Sequence, residues 1–155
     1  MLRSSWLLVT LFISAVVSAQ TVIIPAYTGY AVPAEADESA LFSGNNGLQQ
    51  WSDAKKKISY FFYIRKPGDL SVSINARNTT AGGTVLVSVD GKDFTINIPS
   101  SKTFKTVKAG TLTIKDSGIY TLSISAVKKI GTRSAAIQSI QSSGSTAAGI
   151  HFNAK

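Results

Sequence analysis

Between Ile58 and about Ile140 stretches recur in which apolar side chains return at every second position, and this period of two constrains the fold more than any other feature of the chain. From Asp69 to Arg77, Leu70, Val72, Ile74 and Ala76 fall on one face and Ser71, Ser73, Asn75 and Arg77 on the other. Successive side chains of a strand point to opposite faces, so this spacing predicts a half-buried strand. Val85, Val87 and Val89 repeat the pattern, Asp90-Gly91 supplies a tight turn, and Phe94, Ile96 and Ile98 return with the same spacing, which predicts a hairpin. Further strands are expected at Lys57 to Ile64, Thr103 to Val107, Thr111 to Lys115, Ile119 to Val127, Ala135 to Gln141 and Gly149 to Phe152. Turn signals separate them, among them Lys66-Pro67-Gly68-Asp69, Ala109-Gly110, Asp116-Ser117-Gly118 and Ser142-Ser143-Gly144-Ser145. Short strands at this spacing, with helical patterning nearly absent, make an all-β sandwich or barrel. The polar stretch from Ala34 to Gln50 reads instead as one long irregular loop. In Tyr60-Phe61-Phe62-Tyr63-Ile64 the alternation is lost; Phe61 and Tyr63 share a face and are expected to form a floor beneath that loop, the alternative being an exposed aromatic platform.

The chain opens differently. Arg3, the apolar run Trp6 to Val17 and the small residues Val17-Ser18-Ala19 form a three-part export signal, so residues 1–19 are read as a signal peptide and 20–155 as the mature β-sandwich domain. The apolar run is shorter than the roughly 20 residues of a membrane span, and no other segment approaches that length. Export predicts a periplasmic or extracellular location. With no cysteine in the sequence, the exported domain must be held by packing alone, and about 136 residues suffice for a real core. The formal net charge of the whole chain is +8. The basic residues stand in scattered groups, Lys55-Lys56-Lys57, Arg65-Lys66, Lys102 with Lys105 and Lys108, and Lys128-Lys129 with Arg133, which argues against nucleic acid as a partner.

The residues that could carry catalysis are few. His151 is the single histidine and sits in an ordinary-looking terminal strand, and no serine lies in a nucleophile-elbow motif. Glu35, Asp37, Glu38 and Asp53 could in principle supply a glycosidase pair or calcium ligands, but no spaced calcium motif accompanies them and solvated acids are the default for such a loop. Binding a sugar asks for different chemistry: an aromatic face against the apolar side of a pyranose and planar polar side chains for its hydroxyls. Trp51 offers the first, Asn45, Asn46, Gln50 and Asp53 the second, all within one segment; Tyr27 and Tyr30 are lesser aromatic candidates. The alternative for Trp51 is a plug at the end of the sandwich. Asn78-Thr79-Thr80 matches the N-glycosylation pattern.

The order of these features resembles a known family. Pro25-Ala26-Tyr27 as an early strand, the polar loop ending at Trp51, Ile58 to Ile64, Gly68-Asp69-Leu70-Ser71-Val72, Gly110 to Ile114, Gly118 to Leu122 and Ser139 to Gly144 together resemble an uncharacterised domain family of secreted bacterial proteins. That domain is usually followed by a second one and looks like the galactose-binding-like jelly rolls, similar to carbohydrate-binding modules of families 6 and 35. The resemblance implies a single antiparallel β-sandwich that binds a polysaccharide or glycan without catalysis. It also implies a structural calcium in those modules, whose first strand is acidic; Thr21-Val22-Ile23-Ile24 has no acid, so no cofactor is expected here. The alternative function is a structural or interaction module accompanying a C-terminal catalytic domain.

Overall fold

The computed structural model describes residues 20–34, 41–43, 47–49, 56–79, 83–128 and 135–152. Twelve strands are formed by these residues: β1 (Val22–Pro25), β2 (Tyr30–Val32), β3 (Phe42–Ser43), β4 (Gly47–Leu48), β5 (Lys57–Ile64), β6 (Gly68–Arg77), β7 (Gly83–Val89), β8 (Lys92–Ile98), β9 (Lys105–Ile114), β10 (Gly118–Lys128), β11 (Ala136–Ser143) and β12 (Ile150–Phe152). They make two antiparallel sheets. In the first the order is β3-β4-β11-β6-β9, with β1 also paired to β11; in the second it is β12-β5-β10-β7-β8, with β2 also paired to β5.

The two sheets face each other across one core because their registers align the apolar positions in rows. In the second sheet Tyr60, Leu122 and Val89 lie opposite one another, as do Ile58, Ile124, Val87 and Phe94. In the first, Ile140, Ile74 and Val107 form such a row. Leu70, Val72, Ile74 and Ala76 are all buried, with the serines of the same strand on the outer face. Each fully buried Leu or Ile side chain contributes about 1.5–3 kcal/mol, and with no cysteine to cross-link the chain this burial is what holds the sheets together. The sandwich expected from the alternation is the fold.

The hairpin at Asp90-Gly91 forms as expected, with positive φ at both residues, 49° and 80°, the geometry whose twist matches two paired strands. Four expectations are corrected. Ala109-Gly110 does not turn the chain: Thr103 to Lys115 holds a single strand, β9, with a bulge opposite Val72 and Ser73. Gly110 is needed there because the Phe94 ring lies where its Cβ would be. Pro25-Ala26-Tyr27 is not one strand, since β1 ends at Pro25 and Ala26–Thr28 forms a 3₁₀ turn. The stretch from Ala34 to Gln50 is not wholly irregular: β3 and β4 pair within it, and Leu48 joins the core opposite Ile137. Phe61 and Tyr63 form no buried floor; period two turns Ile58, Tyr60, Phe62 and Ile64 inward and leaves Phe61 48% and Tyr63 43% exposed.

Candidate functional site

Of the residues proposed from the sequence for sugar contact, Tyr27 is described; Trp51, Asn45, Asn46, Gln50 and Asp53 lie outside the described residues, as do Glu35, Asp37 and Glu38. Tyr27 occupies the middle of the 3₁₀ turn that follows β1. Its neighbours Ala26 and Thr28 are buried, while its own side chain is 45% exposed. Three hydrogen bonds fix the turn: the Thr28 hydroxyl donates to the Pro25 carbonyl at 2.8 Å, the Gly29 amide to the Ala26 carbonyl at 3.4 Å, and the buried Tyr60 hydroxyl to that same carbonyl at 3.0 Å. Gly29 has no Cβ because Ile58 and the Tyr60 ring fill that space, 2.6 and 2.8 Å from where one would stand. A rigid, core-anchored turn therefore holds an exposed aromatic ring.

Beside it, on the outer face of the first sheet, lies a depression of about 340 Å³ lined by Ile23, Pro25, Tyr27, Asn75, Gln138, Ser139 and Gln141. The register explains the grouping, since Ile23 stands opposite Gln141 and Pro25 opposite Ser139, which in turn faces Asn75 on β6. A bulge between Ile137 and Ser139 lets Gln138 join this outer face. Gly47 makes the bulge accessible to β4: at φ +67° it approaches the Ile137 carbonyl and Gln138 more closely than any Cβ allows. Across the two strands the Asn75 Nδ2 donates to the Gln138 Oε1 at 2.8 Å, which orients both carboxamides. Hairpin β3–β4 packs against the turn that bears Tyr27, so the two described strands within the long polar segment meet this region.

Among the described residues, no carboxylate, imidazole or amine lines the depression. Its chemistry is that of an aromatic ring flanked by planar amides and a hydroxyl, each amide offering both donors and acceptors. Among the described residues, no three His, Asp or Glu side chains converge as metal ligands. His151 is exposed on β12 opposite Tyr63 and stands away from this depression. Asn78 is only 4% exposed, which leaves no room for a glycan on its side chain in the folded protein. Asn75, Gln138, Ser139 and Gln141 escaped the sequence reading. Asn75 was legible as a polar-face residue of its strand, but Gln138 lies 63 positions away and only the β6–β11 pairing makes them neighbours.

The sequence pattern of a family described as "Domain of unknown function (DUF5077)" matches residues 24–147. No curated protein sequence matches the chain. Among solved structures, a family 35 carbohydrate-binding module (CBM35) from Cellvibrio japonicus Abf62 is similar over 88% of this chain and 100% of its own, with a TM-score of 0.64 at 14% identity. The CBM36-1 domain of a multidomain xylanase from the hindgut metagenome of Trinervitermes trinervoides is similar over 79% of this chain and 96% of its own, with a TM-score of 0.60 at 16% identity. A GH26-CBM35 β-(1,4)-mannanase from Podospora anserina is matched over 81% of this chain but 28% of its own, with a TM-score of 0.62 at 16% identity. At such identities the likeness establishes the fold, a jelly-roll β-sandwich of the kind these modules share.

Proposed function

This chain belongs to the DUF5077 family, and from that premise we propose that it is a secreted, non-catalytic carbohydrate-binding module. The observation that carries the reading is the depression in which the Tyr27 ring stands beside the carboxamides of Asn75, Gln138 and Gln141, with no charged group among its described lining residues. An aromatic face covers the apolar side of a pyranose while amides pair with its hydroxyls, and the depression offers no pair of carboxylates of the kind that glycoside hydrolysis uses among its described lining residues. The carbohydrate-binding modules among the structural neighbours support the same reading by analogy of fold. Export is supported by the three-part signal in residues 1–19. Trp51, with Asn45, Asn46, Gln50 and Asp53, is proposed as a further set of sugar contacts on the chemistry of these side chains, an indole face beside planar polar groups. The mannanase, in which the matched part is 28% of the chain, supports a module that works attached to a larger protein, here a C-terminal partner domain.

The test is binding of the mature protein to mannan, xylan, β-1,3-galactan and polygalacturonate by affinity electrophoresis and calorimetry. Tyr27→Ala is expected to weaken binding about tenfold, or about 1.4 kcal/mol, and Gln138→Ala to weaken it by a smaller factor. Trp51→Ala reads the share of the polar segment. Unchanged binding by a folded Tyr27→Ala protein would remove the depression from the site, and no binding to any of the four polymers would overturn the reading itself.

A further inference from the structure

Seven large hydrophobic side chains are exposed among the described residues, and five of them, Tyr30, Val32, Phe61, Tyr63 and Ile119, belong to the second sheet. Their register places them together. Ile119 and His151 flank Tyr63 from β10 and β12, Thr121 stands opposite Phe61, and Tyr30 on β2 stands opposite Ser59, one step along the same face. The Tyr30 and Phe61 ring centroids are 6.0 Å apart with their planes tilted by 56°. Phe61 and Tyr63 are two residues apart on one strand, which separates them by about 6.7 Å. The three rings thus form a neighbouring group on one face that spans up to roughly 13 Å, enough for a short oligosaccharide. At its far end Phe61, Phe62, Tyr63, Ile119 and His151 enclose a depression of about 210 Å³.

Rows of half-exposed aromatic rings on the solvent face of a sheet have no stabilising role in the core, because Tyr60, Phe62, Ile58 and Ile64 of the same strand already supply it. A second copy of the chain is disfavoured as the occupant. Five side chains, four of them half covered already and Ile119 76% exposed, bring roughly 500 Å² to an interface, against the 800 Å² or so that each partner of a stable complex contributes. The face is also bracketed by Lys56 and Lys57 at one end of β5 and Arg65 and Lys66 at the other, in a chain whose formal net charge is +8, so two copies repel. A thin, uncharged chain meets neither objection. It lays its apolar ring faces along the stripe and turns its hydroxyls toward the phenol, imidazole and Thr121 groups at the rim.

We infer that the outer face of the second sheet is a second glycan-binding surface, centred on Tyr30, Phe61 and Tyr63, for a linear polysaccharide. This second surface rests on the proposed carbohydrate-binding function. The depression at Tyr27 is on the outer face of the first sheet, and the aromatic line is on the outer face of the second, so the two surfaces point to opposite sides of the sandwich. A module with two opposed surfaces joins two polysaccharide chains, and on a polymer the second contact becomes intramolecular and raises the apparent affinity without any new interaction at the first.

The experiment uses soluble mannan, xylan and β-1,3-galactan with the mature protein, Tyr27→Ala, the double variant Phe61→Ala with Tyr63→Ala, and Ile119→Lys. Ile119 is 76% exposed, so its replacement places a charge in the line without disturbing the core. Light scattering is expected to show clustering of the polymer that binds by the wild-type protein and none by any variant. Calorimetry with a trisaccharide of that polymer is expected to fall from two sites per chain to one in Tyr27→Ala and in the double variant alike. Retention on the polymer is expected to weaken at least tenfold in the double variant. One site in the wild type, lost with Tyr27→Ala and untouched in the double variant and in Ile119→Lys, would overturn the second surface while leaving the first. Wild-type self-association in sedimentation that disappears in the double variant would also overturn it, by assigning the face to a second copy. Failure of the wild type to bind any of the three polymers or polygalacturonate would instead remove the carbohydrate reading as a whole.

Discussion

Tyr60 links the core to the exposed ring of Tyr27 through one hydrogen bond, from its buried hydroxyl to the Ala26 carbonyl at 3.0 Å. Burial pushes the phenol well above the ordinary tyrosine range of about 10, because ionising it would place a charge among apolar side chains. The consequence for stability has a definite sign. Below about pH 10 both folded and unfolded chains keep this proton; above it the unfolded chain releases it and the folded chain does not, so stability falls as pH rises past that value. Tyr60→Phe is expected to cost about 1–2 kcal/mol at neutral pH, through the lost bond to Ala26, and to lose less stability than the wild type between pH 8 and 11. Urea unfolding at the two pH values measures both effects, and equal alkaline losses in the two proteins would show that Tyr60 is not the group responsible. Tyr27 itself was legible in the sequence only as an aromatic residue near the start of the mature chain. Nothing local distinguishes its exposed ring from the buried ring of Tyr60; the difference comes from the 3₁₀ turn and from what packs beneath it.

At the level of the strands, the period of two located β6 to β8 and β10 closely, because these are long and bury one face, whereas β5 was legible as a run of aromatic and apolar residues. The short strands β1 to β4 were missed or misread, since two to four residues are too few for a period to show. Strand β9 was read as two strands because Gly110 is a turn residue by propensity; the reason for that glycine is the Phe94 ring on the neighbouring sheet, which no local pattern displays. Gly47 presents the same kind of dependence at the candidate site. A Cβ there would meet the Ile137 carbonyl and would stand 2.9 Å from the Gln138 Cα, at a φ of +67° that L side chains rarely adopt. Gly47→Ala is therefore expected to push β4 from the bulge, lower stability by about 1–3 kcal/mol and weaken polysaccharide binding through the displaced Gln138. The urea midpoint and the retention assay read the two effects separately. Retained binding with lowered stability would show that the bulge serves the fold alone.

For the whole molecule, one core between two sheets and no disulfide means that stability resides in packing. Ile124 lies in the middle of β10, fully buried and in register with Ile58 on one side and Val87 on the other. Ile124→Ala is expected to cost about 2–5 kcal/mol, and both proteins are expected to unfold in one transition, with fluorescence and circular dichroism superimposed. Two separate transitions would show that the sheets are independently stable. The same scale divides what could be read from the chain alone from what could not. Alternation of apolar and polar residues is a property of each strand by itself, so the all-β class, the inward faces and the Asp90-Gly91 hairpin followed from the sequence. The two proposed surfaces did not. Asn75 and Gln138, or Tyr30 and Phe61, are distant in the chain and become neighbours only through strand pairing. Which polar face collects the amides, and which outer face the aromatic rings, is decided by strand order and register, and these depend on the packing of all the strands at once.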